Sequence, residues 1–487
     1  MSKHVLHLAL LLALLLPAWA SAQTPPIDDD FAAALRPAFQ ADLAAYPDLP
    51  RYTGTFRLTV DPQQAALEGA MRLEYTNITG EPLDRLVLRL YANLEQTFGG
   101  QASLENLRVD DLPVPPTIDA TRSVVDVILP EPLAVGATTR IDFDYRLMVL
   151  AGRQRLYNQL SYLEEEIALA NALPLLAVYE PGRGWWREAG HVQGDAVFSA
   201  TAHFDITLTA PADLRVITSG TVIKVQPGEG VNTLRAVAPL MRDFAIMAGP
   251  DYQTVTGNQG EVTIDIHYMT GDAALAQQVL AITQAAVAAF EAAYGPYPHS
   301  ELDVVETLTS AGGIEYPGLI VVARDFWNAT TPFLEIITVH EVAHQWWYSL
   351  VGNDQVIFPW IDEALADYSV ALYFLSLNGE TGYNEVLQFY RQQYQPFEQN
   401  FGARPIGEPA SAYTLEGYAA IVYRKGAIFM DTLAQTLGRD TFLAALRNFA
   451  EQNRYGIATP FDLQSALEGA AGQELDPLFL EWVGYSN

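Results

Sequence analysis

Between Tyr52 and about Tyr252, apolar positions alternate with polar ones or cluster in short runs broken by Gly, Pro and Asn. Thr55–Val60 and Leu86–Leu90 are of this kind, and Phe204–Leu208 and Leu214–Ile217 continue the pattern. A period of two puts alternate side chains on one face of a strand, so the pattern predicts an all-β N-terminal domain over residues 51–258. The period changes after that. Val262–Tyr268 and Leu302–Glu306 read as strands on either side of an Ala-rich helix from about Ala273 to Tyr294, followed by the segment Ser310–Val322. Beyond Pro332 nearly every segment has the helical period, with breaks near Pro359, Gly379, Gly382, Gly438 and Pro460. Strands followed by helices predict an α+β domain over residues 259–487. Residues 23–50 form a lead-in, in which Phe31–Tyr46 has helical periodicity before Pro47 and Pro50. The expected architecture is therefore multidomain.

The first 22 residues read differently. A short polar start with Lys3 and His4 precedes the compact apolar run Leu8–Leu16, and Ala20-Ser21-Ala22 supplies small residues ahead of a cleavage site. The run falls short of the ~20 residues needed to span a bilayer. A cleaved signal peptide, with the cut after Ala22, is expected to deliver the chain to the periplasm or the medium. No other stretch looks long and apolar enough to cross a membrane, so no stable anchor is expected once the signal is removed.

Composition narrows the chemistry. The net charge of −31 reflects 58 acidic residues against 27 basic ones, and lysine occurs only at Lys3, Lys224 and Lys425. Such a field argues against nucleic acid as a partner. There is no cysteine, so any metal must be held by His, Asp or Glu.

One segment has that capacity. His340 and His344 are four apart in Phe333–Val351, which reads as helix throughout, so both imidazoles share one face. Two imidazoles so placed can share one zinc. Glu341, next to the first histidine, can reach a water at the metal without being a ligand itself. Eighteen residues separate His344 from Glu363, enough to turn and start an antiparallel helix that supplies a third ligand. Two His and one Glu leave a fourth position open, the mark of a catalytic site. Asp367, one turn beyond Glu363, is placed to fix the tautomer of a ligand histidine. A chance H-E-x-x-H string with a glutamate at one specified further position arises in fewer than about one chain in a thousand of this length. The isolated His191 and His203 read as surface or hydrogen-bonded histidines, and the N-terminal domain shows no catalytic constellation.

The segment His340–Tyr368, HEVAHQWWYSLVGNDQVIFPWIDEALADY, resembles the zinc segment of the membrane-alanyl-aminopeptidase family. These are the gluzincin peptidases that include aminopeptidase N and leukotriene hydrolase, and they read HExxHQWFGN followed by WxxEGFA. Upstream, Gly312-Gly313-Ile314-Glu315-Tyr316 is similar to the family's GxMEN loop, with Ile314 and Tyr316 in place of Met and Asn. Downstream, Tyr423-Arg424-Lys425-Gly426 is similar to its YxKG element. The β-rich region resembles the family's saddle-like N-terminal sandwich domain, and the stretch to Val483 resembles the end of its thermolysin-like catalytic domain.

The resemblance implies one zinc ion per chain, held by His340, His344 and Glu363, with Glu341 as general base. It implies that Tyr423 stabilises the developing oxyanion and that Glu315 holds the free amino group of a peptide substrate. Gly312 and Gly313 would let an extended substrate pair with the backbone. A second amine-binding residue, drawn in the family from the N-terminal domain, has no visible counterpart in the sequence. The family's helical C-terminal domain has none either, which predicts a more open site. An aminopeptidase is the leading expectation. An oligopeptidase or endopeptidase with the same centre, a lipid-epoxide hydrolase and a non-catalytic binding protein are the alternatives.

Overall fold

Inward-facing Tyr52, Phe56 and Leu58, opposite Leu67, Met71 and Leu73, set the first sheet. A computed structural model describes residues 29–269, 271–328 and 332–485. The expected signal segment lies outside them. The sheet has eight strands in the order Thr221–Pro227, Val231–Met241, Ala202–Pro211, Arg51–Asp61, Gln64–Thr76, Thr138–Leu150, Gln101–Val109 and Leu112–Pro113. Its neighbours are antiparallel except Arg51–Asp61 and Ala202–Pro211, which run parallel. The apolar face packs against a four-stranded sheet that contributes Leu86, Leu88, Val125 and Val127 to the same core. Alternation is thus satisfied by sheet-on-sheet packing.

A third sheet, built from Leu160–Leu163, Glu166–Leu169, Arg215–Thr218 and Ile246–Gly249, faces the catalytic half. There Asn158 Nδ2 donates to the Leu308 carbonyl at 3.0 Å and Leu308 N–H donates to Glu166 Oε1 at 3.0 Å. Thr309 Oγ1 donates to the Tyr157 carbonyl at 2.7 Å. Arg324 bridges Glu166 at 3.2 Å and Glu306 at 3.3 Å. These bonds fix the approach to Gly312 from both domains.

The C-terminal half opens with a five-stranded mixed sheet in the order Gln253–Gln259, Val262–Tyr268, Glu301–Thr307, Leu319–Ala323, Gly313–Ile314. The chain therefore enters this sheet at Gln253, a few residues before the expected boundary. Ala273–Tyr294, N-capped by Asp272, crosses its apolar face and buries Leu275, Val279, Ala286 and Phe290 in the main core. By length and composition this helix could cross a membrane, contrary to the expectation that no such stretch remained. Its buried stripe shows why it reads as apolar: it is the central core helix. Helices from Phe333 onward complete the α+β domain, and the long one, Trp360–Phe401, is broken at Gly379 (φ 63°, ψ −155°).

The lead-in does not form one helix. Pro37 fixes an extended Arg36 (φ −62°, ψ 147°) and splits the periodic stretch into the short turns Asp29–Ala33 and Asp42–Ala45. Phe31, Leu35 and Leu43 still bury their side chains, in the core of the catalytic half.

His203 is not a surface residue. It is fully buried, edge-on to Phe31 at 5.6 Å, because the lead-in turn Asp29–Ala33 covers this face of the sheet. Burial and the Arg51 charge push its pKa down to about 4. Burial likewise takes His299 down to about 4, against a 2.9 Å bond to the Pro239 carbonyl. Both rings are neutral when folded, whereas unfolded histidines titrate near pH 6.5, so protons favour the unfolded chain. The stability they withhold, on the order of 3 kcal/mol each, is intact above about pH 6.5 and lost as pH falls toward about 4. Thermal melts across that window should show a falling Tm, with a shallower fall in His203→Gln. An unchanged slope in that variant would contradict the assignment.

Candidate metal centre

The helix Phe333–Ala343 brings His340 and His344 to the floor of a cleft. It ends at His344 rather than running on to Val351. Ser349 N–H then turns back to the His344 carbonyl at 3.0 Å, and Tyr348 takes φ 115°. Trp346 and Trp347 still have core positions after the turn: Trp346 Nε1 donates to the Gly295 carbonyl at 2.9 Å and stacks edge-on with Phe290. Burial, not helical period, made the segment look continuous.

Glu363 arrives from the first turn of Trp360–Phe401. His340 Nε2 and His344 Nε2 are 3.0 Å apart, and Glu363 Oε2 lies 3.2 Å and 3.4 Å from them. A tetrahedron with bonds of 2.0–2.1 Å has edges of about 3.3 Å, so the trio matches three of its corners.

The outer contacts decide which atoms point inward. His340 Nδ1–H donates to Asp367 Oδ1 at 3.0 Å, and His344 Nδ1–H donates to the Trp347 carbonyl at 2.8 Å. Each Nε2 therefore carries a lone pair, and the two lone pairs face one another and a carboxylate. A metal cation satisfies three facing acceptors at once, and imidazole with carboxylate is a zinc donor set. Burial would raise the pKa of Glu363, but its contacts with His340 and His344 outweigh that and hold it down to about 2. Burial likewise opposes a charge on His344, yet Glu315 and Glu363 push it up to about 10. The surroundings are built for positive charge at this point.

Asp367 is itself held, by Arg424 Nη1 at its second oxygen and by burial on all sides. Arg424 lies over the Tyr390 ring at 4.9 Å, and the Tyr390 hydroxyl donates to the Asp367 carbonyl at 3.2 Å. Tyr423 sits in a widened π-helical turn, Ala419–Lys425, of the kind that often marks functional sites. Its hydroxyl donates to Glu363 Oε1 at 2.6 Å, and its ring lies over His340 at 5.6 Å. Lys425, in the same motif, points elsewhere and donates to the Arg404 carbonyl.

Across the trio runs the sheet edge. Gly313 pairs with Val322, and Ala323 N–H donates to the Gly312 carbonyl at 2.9 Å. Antiparallel alternation then leaves the Gly313 N–H and carbonyl on the open side. A Cβ on Gly313 would fall 2.4 Å from Glu341 Oε1, so glycine is what lets the Glu341 carboxylate lie against the edge strand. Burial pushes Glu341 up to about 8, against the pull of His340 and His344. Gln345 fastens this loop to the histidine helix, accepting from Gly318 N–H at 2.9 Å and donating to the Tyr316 carbonyl at 3.3 Å. Tyr316 is thus engaged through its backbone.

Glu315 is buried and accepts from Gln355 Nε2 at 3.0 Å, which also bonds Asp362 at 2.8 Å. Opposite it the N-terminal domain supplies Asp195, a position that the sequence did not single out. Burial first, and then the charges of Glu315 and Glu363, raise Asp195 well above the usual carboxylate range. Gly194 precedes it at φ 68°, where a Cβ would meet the Tyr418 hydroxyl at 2.2 Å. Both constraints require glycine.

Together these groups line a cavity of about 420 Å³. Phe326, Phe333, Ile336, Ile337, Phe389 and Leu415 add an apolar part to its wall. Every site residue expected from the sequence lies in or directly behind it, and Asp195, Tyr157 and Arg424 are additions.

Residues 278–482 match the Peptidase family M1 domain. Aminopeptidase M1-A of Oryza sativa subsp. japonica is 26% identical over 307 residues, covering 58% of this chain and 34% of its own length. The membrane alanyl aminopeptidase of Heliothis virescens is 29% identical over 179 residues, covering 34% of this chain and 17% of its own. The chain spans about a third of the first of these relatives and less of the second. Among solved structures, the M1 zinc metallopeptidase from Deinococcus radiodurans superposes with a TM-score of 0.65 at 20% identity, covering 90% of this chain and 94% of that one. A two-domain M1 zinc metallopeptidase mutant bound to L-arginine gives 0.65 at 19% identity, with the same coverage. Residues 278–482 are thus similar to the peptidase family M1 domain, and the chain shares the fold of the two-domain M1 zinc metallopeptidases.

Proposed function

We propose that the chain is a zinc-dependent aminopeptidase that removes the N-terminal residue from peptides entering this cavity. The observation that carries the reading is the pair Glu315 and Asp195, two carboxylates from different domains lining the cavity that holds the ligand trio. Two carboxyl groups facing one cavity beside a hydrolytic centre suit the α-ammonium of a substrate, which forms charge-assisted bonds to both. The relatives named aminopeptidases support the same reading.

The residues then divide the work. The open edge at Gly313 pairs with the extended substrate backbone and sets the scissile bond beside Glu341. A zinc ion held by His340, His344 and Glu363 would polarise that carbonyl and acidify the attacking water. Glu341 accepts the proton of the water and delivers it to the leaving amine. The Tyr423 hydroxyl, 2.6 Å from Glu363 Oε1, is free to turn its proton toward the carbonyl oxygen as that oxygen gains charge. Asp367, locked by Arg424, keeps His340 in the tautomer that offers Nε2.

Export belongs to the same proposal. The Leu8–Leu16 run and Ala20-Ser21-Ala22 support cleavage after Ala22 and release of the mature chain from the membrane. Sequencing of the exported protein should then begin at Gln23, and an uncut Met1 start would contradict it.

Free-amine aminoacyl-arylamides should be cleaved and their N-acetylated forms left intact. Comparable cleavage of both would favour the endopeptidase alternative. Asp195→Asn and Glu315→Gln should each raise KM for the free-amine substrate about 10- to 100-fold, the size of a lost hydrogen bond to a charged group. Unchanged KM in both would remove the basis of the proposal. Glu341→Gln should lower kcat at least about 10²-fold with zinc content retained. Asp367→Asn should weaken zinc affinity about 10- to 100-fold in equilibrium dialysis against a chelator.

A further inference from the structure

A second set of metal-competent side chains lies on the catalytic sheet, away from the cavity. Asp265 and His267 are two apart on Val262–Tyr268, and Glu301 and Asp303 are two apart on Glu301–Thr307. The period of two puts all four on one face, and the parallel register sets Asp265 beside Asp303. The opposite face, with Ile264, Ile266, Leu302 and Val304, belongs to the main core. None of the four lines the catalytic cavity.

Ligand atoms of Asp265, His267 and Asp303 all lie within 4.8 Å of one another. His267 Nε2 is 3.0 Å from Asp303 Oδ1, and its Nδ1 is 3.0 Å from Thr254 Oγ1. His267 and Asp303 are buried, at 8% and 3% exposure. Asp265 accepts from the Thr256 hydroxyl, and Glu301 from Thr221 of the N-terminal domain. No arginine or lysine among the described residues bonds any of the three carboxylates. Three carboxylates thus share one imidazole, whose single proton can balance only one of them, and buried unbalanced charge is costly.

We propose that Asp265, His267 and Asp303, with Glu301 at the rim, form a second cation site that takes a zinc- or manganese-class dication. One imidazole with carboxylate oxygens is the donor mixture such ions accept. The Thr254 contact at Nδ1 orients the ring as outer partners orient metal-bound histidines. Because Glu301 bonds Thr221, an ion there ties the catalytic sheet to the N-terminal domain. The site is structural, and it leaves the reaction at the His340–His344–Glu363 centre as described.

The test uses the full-length chain with His340→Ala and His344→Ala, which disable the first centre. After chelator treatment and desalting, Co²⁺ is titrated and followed by its d–d absorption, with manganese binding measured in parallel. About one equivalent of either ion should bind, with a rise in Tm, since metal binding is linked to folding. Adding Asp265→Asn at the half-exposed rim should abolish that binding and the Tm rise. His267→Ala, where it folds, should do the same. No binding of either ion by the first variant, or binding unchanged by Asp265→Asn, would overturn the proposal and leave His267–Asp303 as an ordinary ion pair.

Discussion

Three lone pairs aimed at one point are the constraint around which the catalytic half is arranged. His340 Nε2, His344 Nε2 and Glu363 Oε2 are held 3.0–3.4 Å apart with no donor between them. That arrangement repels itself unless a cation sits inside it, and holding it ready requires stiff support. The support is visible: Asp367 and the Trp347 carbonyl fix the two tautomers, and Arg424 fixes Asp367. Trp346, Trp347, Phe290 and Tyr294 pack the histidine helix against the core helix beneath. Preorganisation of this kind lets one ion act without rearrangement of its ligands.

The second requirement is that two domains meet accurately. Glu315 comes from the edge loop of the catalytic sheet and Asp195 from the N-terminal domain, so the pair of carboxylates exists only when the halves are docked. The bonds around Tyr157, Asn158 and Glu166 hold that docking at the loop leading into Gly312. Close approach also explains two glycines. Gly313 leaves room for Glu341, and Gly194 leaves room for Tyr418. The β-rich domain is thus part of the site and not merely a platform beside it.

Much of this was legible in the sequence, for a physical reason. Ligands on helices obey a period, so His340, His344, Glu363 and Asp367 could be placed by counting, and the resemblance supplied Glu315 and Tyr423. Asp195 obeys no period: it sits in an irregular segment after a left-handed glycine, and its role arises only from domain docking. Arg424 was hidden beside a more conspicuous tyrosine, although it does more for the trio than Lys425. The end of the histidine helix was misread because Trp346 to Val351 stay buried after the chain has turned. His203 keeps the face that alternation gives it, but the lead-in residue Phe31 covers that face, so the surface alternative fails.

The central claim is that this cavity recognises a free amine beside the metal ligands. A crystal structure of the zinc-loaded chain with a bound amino-acid product would test it most directly. The account predicts the α-ammonium within hydrogen-bond distance of both Glu315 and Asp195, with the carboxylate toward the trio. An amino group pointing away from both carboxylates would contradict it.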